Sequence, residues 1–105
     1  MLRIPTHRKP THPGEMLREE FLNPMGLTAK QLAKAIHASQ QEIADLVEER
    51  NGVTPSIALR LAKYFGTSPG FWMNLQLRRD LYFAGKSEEK MLQTIQPYQA
   101  APAAS

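Results

Sequence analysis

Apolar residues recur along this chain at helical rather than strand spacing. Met16, Leu17 and Phe21 form one stripe, and Leu32, Ala33 and Ile36 form a second. Ile43, Leu46 and Val47 follow, and then Ala58, Leu61, Ala62 and Phe65. No stretch sustains an apolar–polar alternation. The chain holds 12 Leu against two Val and five Ile, a bias toward helix over strand.

Capping residues divide these stripes into elements. Pro13 predicts a helix start, because a missing N–H costs nothing at the first helical position. Glu15 in that first turn suits the helix dipole. The residue before a proline avoids the helical region, which predicts an end near Asn23-Pro24. Thr28 with Gln31, and Ser39 with Glu42, have the spacing of capping boxes. They open a second helix over about 29–36 and a third that runs to about Glu49. Asn51-Gly52 is a turn signal. Thr54-Pro55 opens a fourth helix closed by Gly66, a C-terminal cap. Ser68-Pro69 opens a longer fifth that Gly85 stops after Ala84, and Ser87 with Glu88-Glu89 opens a short sixth through Ile95. Residues 1–12, basic and rich in Pro, Thr and His, read as a flexible arm. Residues 96–105, with two Pro and four Ala, read as a disordered tail.

Composition narrows the class. The 105 residues suit one small domain, with 42% apolar and 22% charged residues. With no cysteine there is no disulfide framework, thiolate zinc site or cysteine nucleophile. No apolar run approaches the roughly 20 residues needed to span a bilayer, and no secretory pattern opens the chain, which suits a cytoplasmic location. His7, His12 and His37 are scattered, and none pairs with a carboxylate at metal spacing, so neither a metal nor another cofactor is expected. No Ser–His–Asp set, phosphate-binding glycine loop or deaminase signature occurs, which argues against an enzyme and against a small-molecule ligand. The net charge of +3 permits nucleic-acid binding without requiring it.

The informative stretch is Thr28 to Gly52. Two short helices separated by about three residues cannot form an antiparallel hairpin and must cross steeply. Such a crossing needs a small residue where the backbones meet, and Ala33 supplies it. It also needs apolar residues across the contact, here Ile36, Ala38, Ile43 and Leu46. This is the helix-turn-helix pattern. On the outward face of the third helix, Gln40 and Gln41 beside Ser39 are of the type that bonds an adenine edge. One turn later Ala44 is suited to a thymine methyl and Asp45 to a cytosine amino group. Thr28 and Gln31 would face a phosphate, and Arg50 and Asn51 would reach the backbone from the other side. The same pattern also occurs as plain scaffolding. Glu42, Asp45, Glu48 and Glu49, against Arg50 alone, are charges a phosphate backbone repels.

The fifth helix carries Phe71, Trp72, Leu75, Leu77, Leu81, Tyr82 and Phe83, more than one side can bury in so small a core. Part of this stripe fills the core. The surplus, assigned to Phe71, Trp72, Leu75 and Tyr82, predicts a symmetric dimer interface. A two-fold dimer would also place two third helices one DNA turn apart.

Over residues 10–86 the chain resembles the HigA antitoxins, or VapI family, within the XRE-type, lambda-repressor-like class. The resemblance rests on HPGEMLREEFLNPMGLT, QLAKAI, SQQEIADLVEERNGVT and ALRLAKYFGTSPGFWMNLQLRRDLYFA, and FGTSPGFWMNLQ is its most specific part. It implies an all-α, compact five-helix repressor-like domain acting as a dimer. It implies the antitoxin of a type II pair, one that neutralises a RelE-like ribonuclease toxin, HigB, and represses its own operator. By position, Ser39, Gln40, Gln41, Ala44 and Asp45 fall on the recognition helix, and Thr28 and Gln31 on the phosphate-facing end of the helix before it. The chain departs from the family pattern at His37, where the turn usually has glycine, and in the acidity of the third helix. Two other readings stand beside this one: a stand-alone XRE-type repressor with no toxin, and a helical interaction scaffold without DNA binding.

Overall fold

The computed structural model describes residues 9–99, among which lie six helices and no strand. Helix α1 begins at Pro13–Met16, passes through a π-helical stretch at Leu17–Leu22 and closes with Asn23–Met25. Then come α2 (Ala29–Ala35), α3 (Gln40–Val47), α4 (Pro55–Phe65), α5 (Pro69–Ser87) and α6 (Glu89–Thr94). None of the helices is long and apolar enough to cross a membrane.

The helix starts follow from local chemistry. Thr28, Ser39, Thr54 and Ser68 each accept a backbone N–H from three residues on, satisfying a donor that the helix leaves unpaired. Both capping boxes are complete.

Helix ends differ from the sequence reading in three places. The first helix does not stop at Asn23-Pro24. Asn23 is helical, at φ −62° and ψ −49°, and its N–H donates to the Arg18 carbonyl five residues back. A proline ring normally collides with the carbonyl four residues earlier, and the wider π turn shifts the hydrogen-bond register before Pro24 and relieves that collision. The chain leaves the helix at Gly26, left-handed at φ 65°. Gly85 does not stop α5, which continues to Ser87 and is closed by the Glu88 N–H on the Ala84 carbonyl at 2.8 Å. Glycine permits a helix end without enforcing one. Helix α3 stops at Val47 because Glu49 turns left-handed, at φ 61°.

Each of the first five helices sends one fully buried side chain to a common centre: Leu17, Leu32, Ile43, Leu61 and Trp72. Phe21 lies 5.1 Å from the Trp72 ring and Phe71 meets it edge-on at 5.0 Å. The indole N–H donates to the Thr67 hydroxyl at 2.7 Å, so the one polar atom of the ring is satisfied.

Trp72 therefore cannot belong to a dimer surface as anticipated. Phe71 and Leu75 are half-buried against the same core, and Tyr82 is half-buried beside Phe83. In this part of the chain the aliphatic side chains that face outward are Leu77 and Leu81 on α5, with Met91 and Leu92 on α6 and Ile95 after it, all more than half exposed. The reason is length. Nineteen residues of α5 outrun a core assembled from helices of 7 to 13 residues, so only its first turns are covered.

The last residues of the stretch read as an N-terminal arm lie against the fold. Residues 1–8 lie outside the described residues, as do 100–105 of the tail, and 96–99 are exposed. Pro10 and His12 are held against the fold. The Pro10 carbonyl accepts from Arg79 at 3.0 Å, and His12 is buried, with Nδ1 accepting the Gly14 N–H at 2.8 Å. His12 thus caps α1 as an asparagine would. At Gly14 the start of α1 touches the end of α3, and a Cβ there would overlap the Leu46 carbonyl oxygen.

Two outcomes follow. Gly14→Ala forces α1 away from α3 and is expected to cost about 1–3 kcal/mol, the range for overpacking, read from the midpoint of urea unfolding. Burial, and next the Arg79 charge, push the His12 pKa below its ordinary 6.5. The unfolded chain then binds the proton more readily than the folded one. The stabilisation is complete above the unfolded value and is lost as pH falls through the lower folded value. Stability should decline as pH falls below about 6.5, and His12→Asn, which keeps the acceptor, should make that decline shallower in urea titrations.

Candidate nucleic-acid interface

Helices α2 and α3 meet where the sequence placed their crossing. Ala33, Ile36, Ile43 and Leu46 are buried, and the Ala38 N–H donates to the Ala33 carbonyl at 2.9 Å. The chain reverses through His37 at φ 58°, a left-handed conformation that costs a non-glycine residue about 1–2 kcal/mol. Arg60 of α4 offsets that strain. Its guanidinium donates to the Ile36 carbonyl at 3.2 Å and to the His37 carbonyl. The far end of α3 is held alike: Arg18 of α1 donates to the Val47 carbonyl and pairs with Glu49 at 3.4 Å, beside the left-handed Glu49 backbone. The hydrogen bond to Glu19, ahead of that to Glu49, raises the Arg18 pKa further above its usual value.

Between these two pins the first turn of α3 is open. Ser39, Gln40 and Gln41 are exposed, and Ala44 and Asp45 are half-buried one turn later. The Gln40 amide has no hydrogen bond within the described residues. Gln41 Nε2, by contrast, donates to Asp45 Oδ1 at 2.8 Å. The same carboxylate takes Arg50 Nε at 3.0 Å, Arg50 Nη2 at 2.7 Å and, through its other oxygen, Asn51 Nδ2 at 3.4 Å. Asp45, Arg50 and Asn51, read from sequence as separate contacts, are therefore one network. Arg50, and after it Gln41, hold the Asp45 carboxyl below the usual carboxylate range, and Asp45 with Glu48 raises Arg50.

That network resolves the acidity of α3. Glu42 accepts from the Ser39 backbone as the second half of the capping box. Asp45 and Glu48 share Arg50, and Glu49 pairs with Arg18. All four acids have donors, so the face carries less free negative charge than a residue count implies.

Thr28 and Gln31 spend their acceptor atoms on each other's backbone. Gln31 Oε1 takes the Thr28 N–H at 2.9 Å and Thr28 Oγ1 takes the Gln31 N–H at 3.0 Å. The Gln31 NH2 and the Thr28 hydroxyl proton remain free of intramolecular partners among the described residues. Two exposed cations on α2, Lys30 and Lys34, were not singled out from the sequence although their i, i+4 spacing puts them on one face. Arg18 and Arg60 gave no such signal, because their carbonyl partners lie 29 and 23–24 residues away.

Comparison with known proteins agrees with this geometry. Residues 17–72 match the helix-turn-helix family HTH_3. Virulence-associated protein I of Dichelobacter nodosus is 48% identical over 80 residues, 76% of this chain and 74% of that protein. Antitoxin HigA-1 of Vibrio cholerae is 36% identical over 94 residues, 88% and 87% of the two chains. Among solved structures, the Pseudomonas aeruginosa antitoxin HigA with the higBA promoter superposes with a TM-score of 0.82 at 39% identity, covering 87% of this chain and all of that one. The relatives are named as helix-turn-helix regulators, virulence-associated proteins and antitoxins. The chain belongs to the helix-turn-helix family HTH_3 and, within it, to the HigA-type (VapI) antitoxins.

Proposed function

We propose that this protein is a dimeric operator-binding antitoxin. It represses the operon that encodes it and neutralises a RelE-like (HigB) ribonuclease toxin by stoichiometric complex formation, acting in the cytoplasm beside the DNA it reads. The observation that carries the DNA half is the open first turn of α3, where Gln40 is free to pair with a base edge while every acid of the helix already has a donor. A related HigA structure that contains promoter DNA supports operator binding.

In this reading Gln40, Gln41 and Ala44 enter the major groove, with Ser39 at its edge. Thr28 and Gln31 donate to a phosphate at the start of α2, and Lys30 and Lys34 add charge beside them. Asp45 acts on Gln41 rather than on a base, and Arg50 and Asn51 order the exit from α3. Repression is by occupancy of the promoter, with no catalysis. The dimer forms through the outward apolar side chains of α5 and α6, chiefly Leu77, Leu81, Met91 and Leu92, with the half-buried Phe71, Leu75 and Tyr82 of α5 at its margin. The toxin assignment rests on the antitoxin relatives, and a small basic protein encoded in the adjacent reading frame is its expected companion.

Gel-shift titration against the protein's own upstream DNA at two salt concentrations tests the first half. Affinity should fall steeply with salt, because each neutralised phosphate releases counterions. Gln40→Ala should lose about 1–3 kcal/mol of preference for the cognate sequence with the fold intact. A flat salt response removes direct groove binding. For the dimer, Leu81→Glu should convert the chain to monomer in sedimentation equilibrium without loss of helix content, since Leu81 is 62% exposed in the single chain. An unchanged mass excludes this face.

A further inference from the structure

The motif FGTSPGFWMNLQ is mostly accounted for by local structure. Gly66 closes α4 in a left-handed conformation, Thr67 receives the Trp72 indole, Ser68 caps α5 and Trp72 fills the core. Its last residue, Gln76, has no local purpose. It sits two turns into α5, and its side-chain oxygen accepts the Val53 N–H at 2.8 Å, 23 residues away in sequence. Its Nε2 donates to Asp80 Oδ1 at 2.8 Å.

Val53 is buried and lies in the loop by which the chain leaves the recognition helix. Its neighbour Gly52 is pressed against the same amide. A Cβ at Gly52 would stand 2.5 Å from Gln76 Cδ and 2.6 Å from Nε2, and closer still to Oε1. Gly52 has no left-handed backbone, so what glycine gives there is room for the Gln76 amide, which a Cβ would displace from its present place. A cleft runs along this contact, with Gln41, Glu42 and Asp45 of α3 on one wall and Gln76 and Asp80 of α5 on the other. The amide of Gln76 is thus a hydrogen-bonded tie between α5 and the loop that follows α3.

We infer that Gln76 is a positioning residue for sequence reading, setting the pose of α3 on DNA by holding the Gly52–Val53 backbone. The inference rests on the operator-binding reading above. Only an amide satisfies both partners. A carboxylate at 76 would accept from Val53 but face Asp80, and an aliphatic side chain would leave the Val53 N–H unpaired. No base or phosphate need touch Gln76 for its loss to blur the readout, because a helix tilted in the groove misplaces its amides.

The test uses the full chain, with Gln76→Ala, Gln76→Glu and the double variant Gln76→Glu/Asp80→Asn. Each is titrated against the upstream DNA and a scrambled duplex of equal length and composition. Hydrogen exchange at Val53 is measured alongside. Gln76→Ala should keep its helix content, lose protection at Val53 and lose about tenfold in the ratio of the two affinities, the size of one good base contact. Gln76→Glu should behave likewise. The double variant, in which an amide at 80 donates to a carboxylate at 76, should restore the ratio and the protection. An equal loss on both duplexes, or a lower melting temperature with the ratio unchanged, overturns the inference and leaves operator binding standing. Absence of preference in the unmodified chain overturns both. Should Gln76→Ala not fold, the double variant decides, and loss of preference in it overturns the inference.

Discussion

A helix of eight residues does not persist alone in water, since isolated helices below roughly 12–15 residues are marginal even in favourable sequences. Helix α3 has that length, and the surface proposed to read DNA is its first turn. Much of the surrounding structure can be understood as supplying what α3 lacks. Ser39 and Glu42 satisfy its first donors, Ile43 and Leu46 seat it in the core, and Gly14 lets α1 close on the Leu46 carbonyl. Arg18 takes up its last carbonyl, that of Val47, and Gln76 holds the loop that follows. The helix is rigid because its ends are tied to three other elements, and its exposed turn is free of that duty.

The same logic explains why two residues other than glycine tolerate left-handed backbones. His37 and Glu49 occupy equivalent places, just past the ends of α2 and α3. Beside each, a guanidinium from another helix bonds the exposed carbonyls, Arg60 at the first and Arg18 at the second. At Arg18 the planar fork also reaches the Glu49 carboxylate through Nη2, two acceptors from one fixed plane. The departure from glycine at 37 is therefore absorbed by a tertiary contact, and the turn keeps its shape.

The aromatic and leucine content of α5 divides along the helix. Near its start, Trp72 and Phe71 join Phe21 and Phe65 in one cluster. Farther on, Arg79 lies over Phe83 and Lys86 over Tyr82, so aliphatic stems and cations cover part of the rings. Leu77 and Leu81 have no such cover. Their exposure follows from the small core beneath α5, and the resulting patch is of the kind that marks an interface.

Local chemistry made most of the fold legible. The N-caps at Thr28, Ser39, Thr54 and Ser68, the prolines at 13, 55 and 69, and the 3.6-residue stripes located the first five helices, because each signal acts within one turn of its own residue. Ends were less legible. Pro24 was absorbed by a π turn and Gly85 by a continuing helix, since both outcomes depend on hydrogen-bond register over several residues. For the candidate site, the sequence located Gln40 and Gln41 and raised the acid count of α3 as an objection. Tertiary structure decided the rest. It joined Asp45 to Arg50, buried Trp72 away from any interface, anchored His12, and brought Arg60 to His37 and Gln76 to Val53. Contacts such as these last two bridge more than twenty residues, and no periodicity records them: pattern along a chain encodes which face is apolar, while packing chooses which distant polar atom meets another.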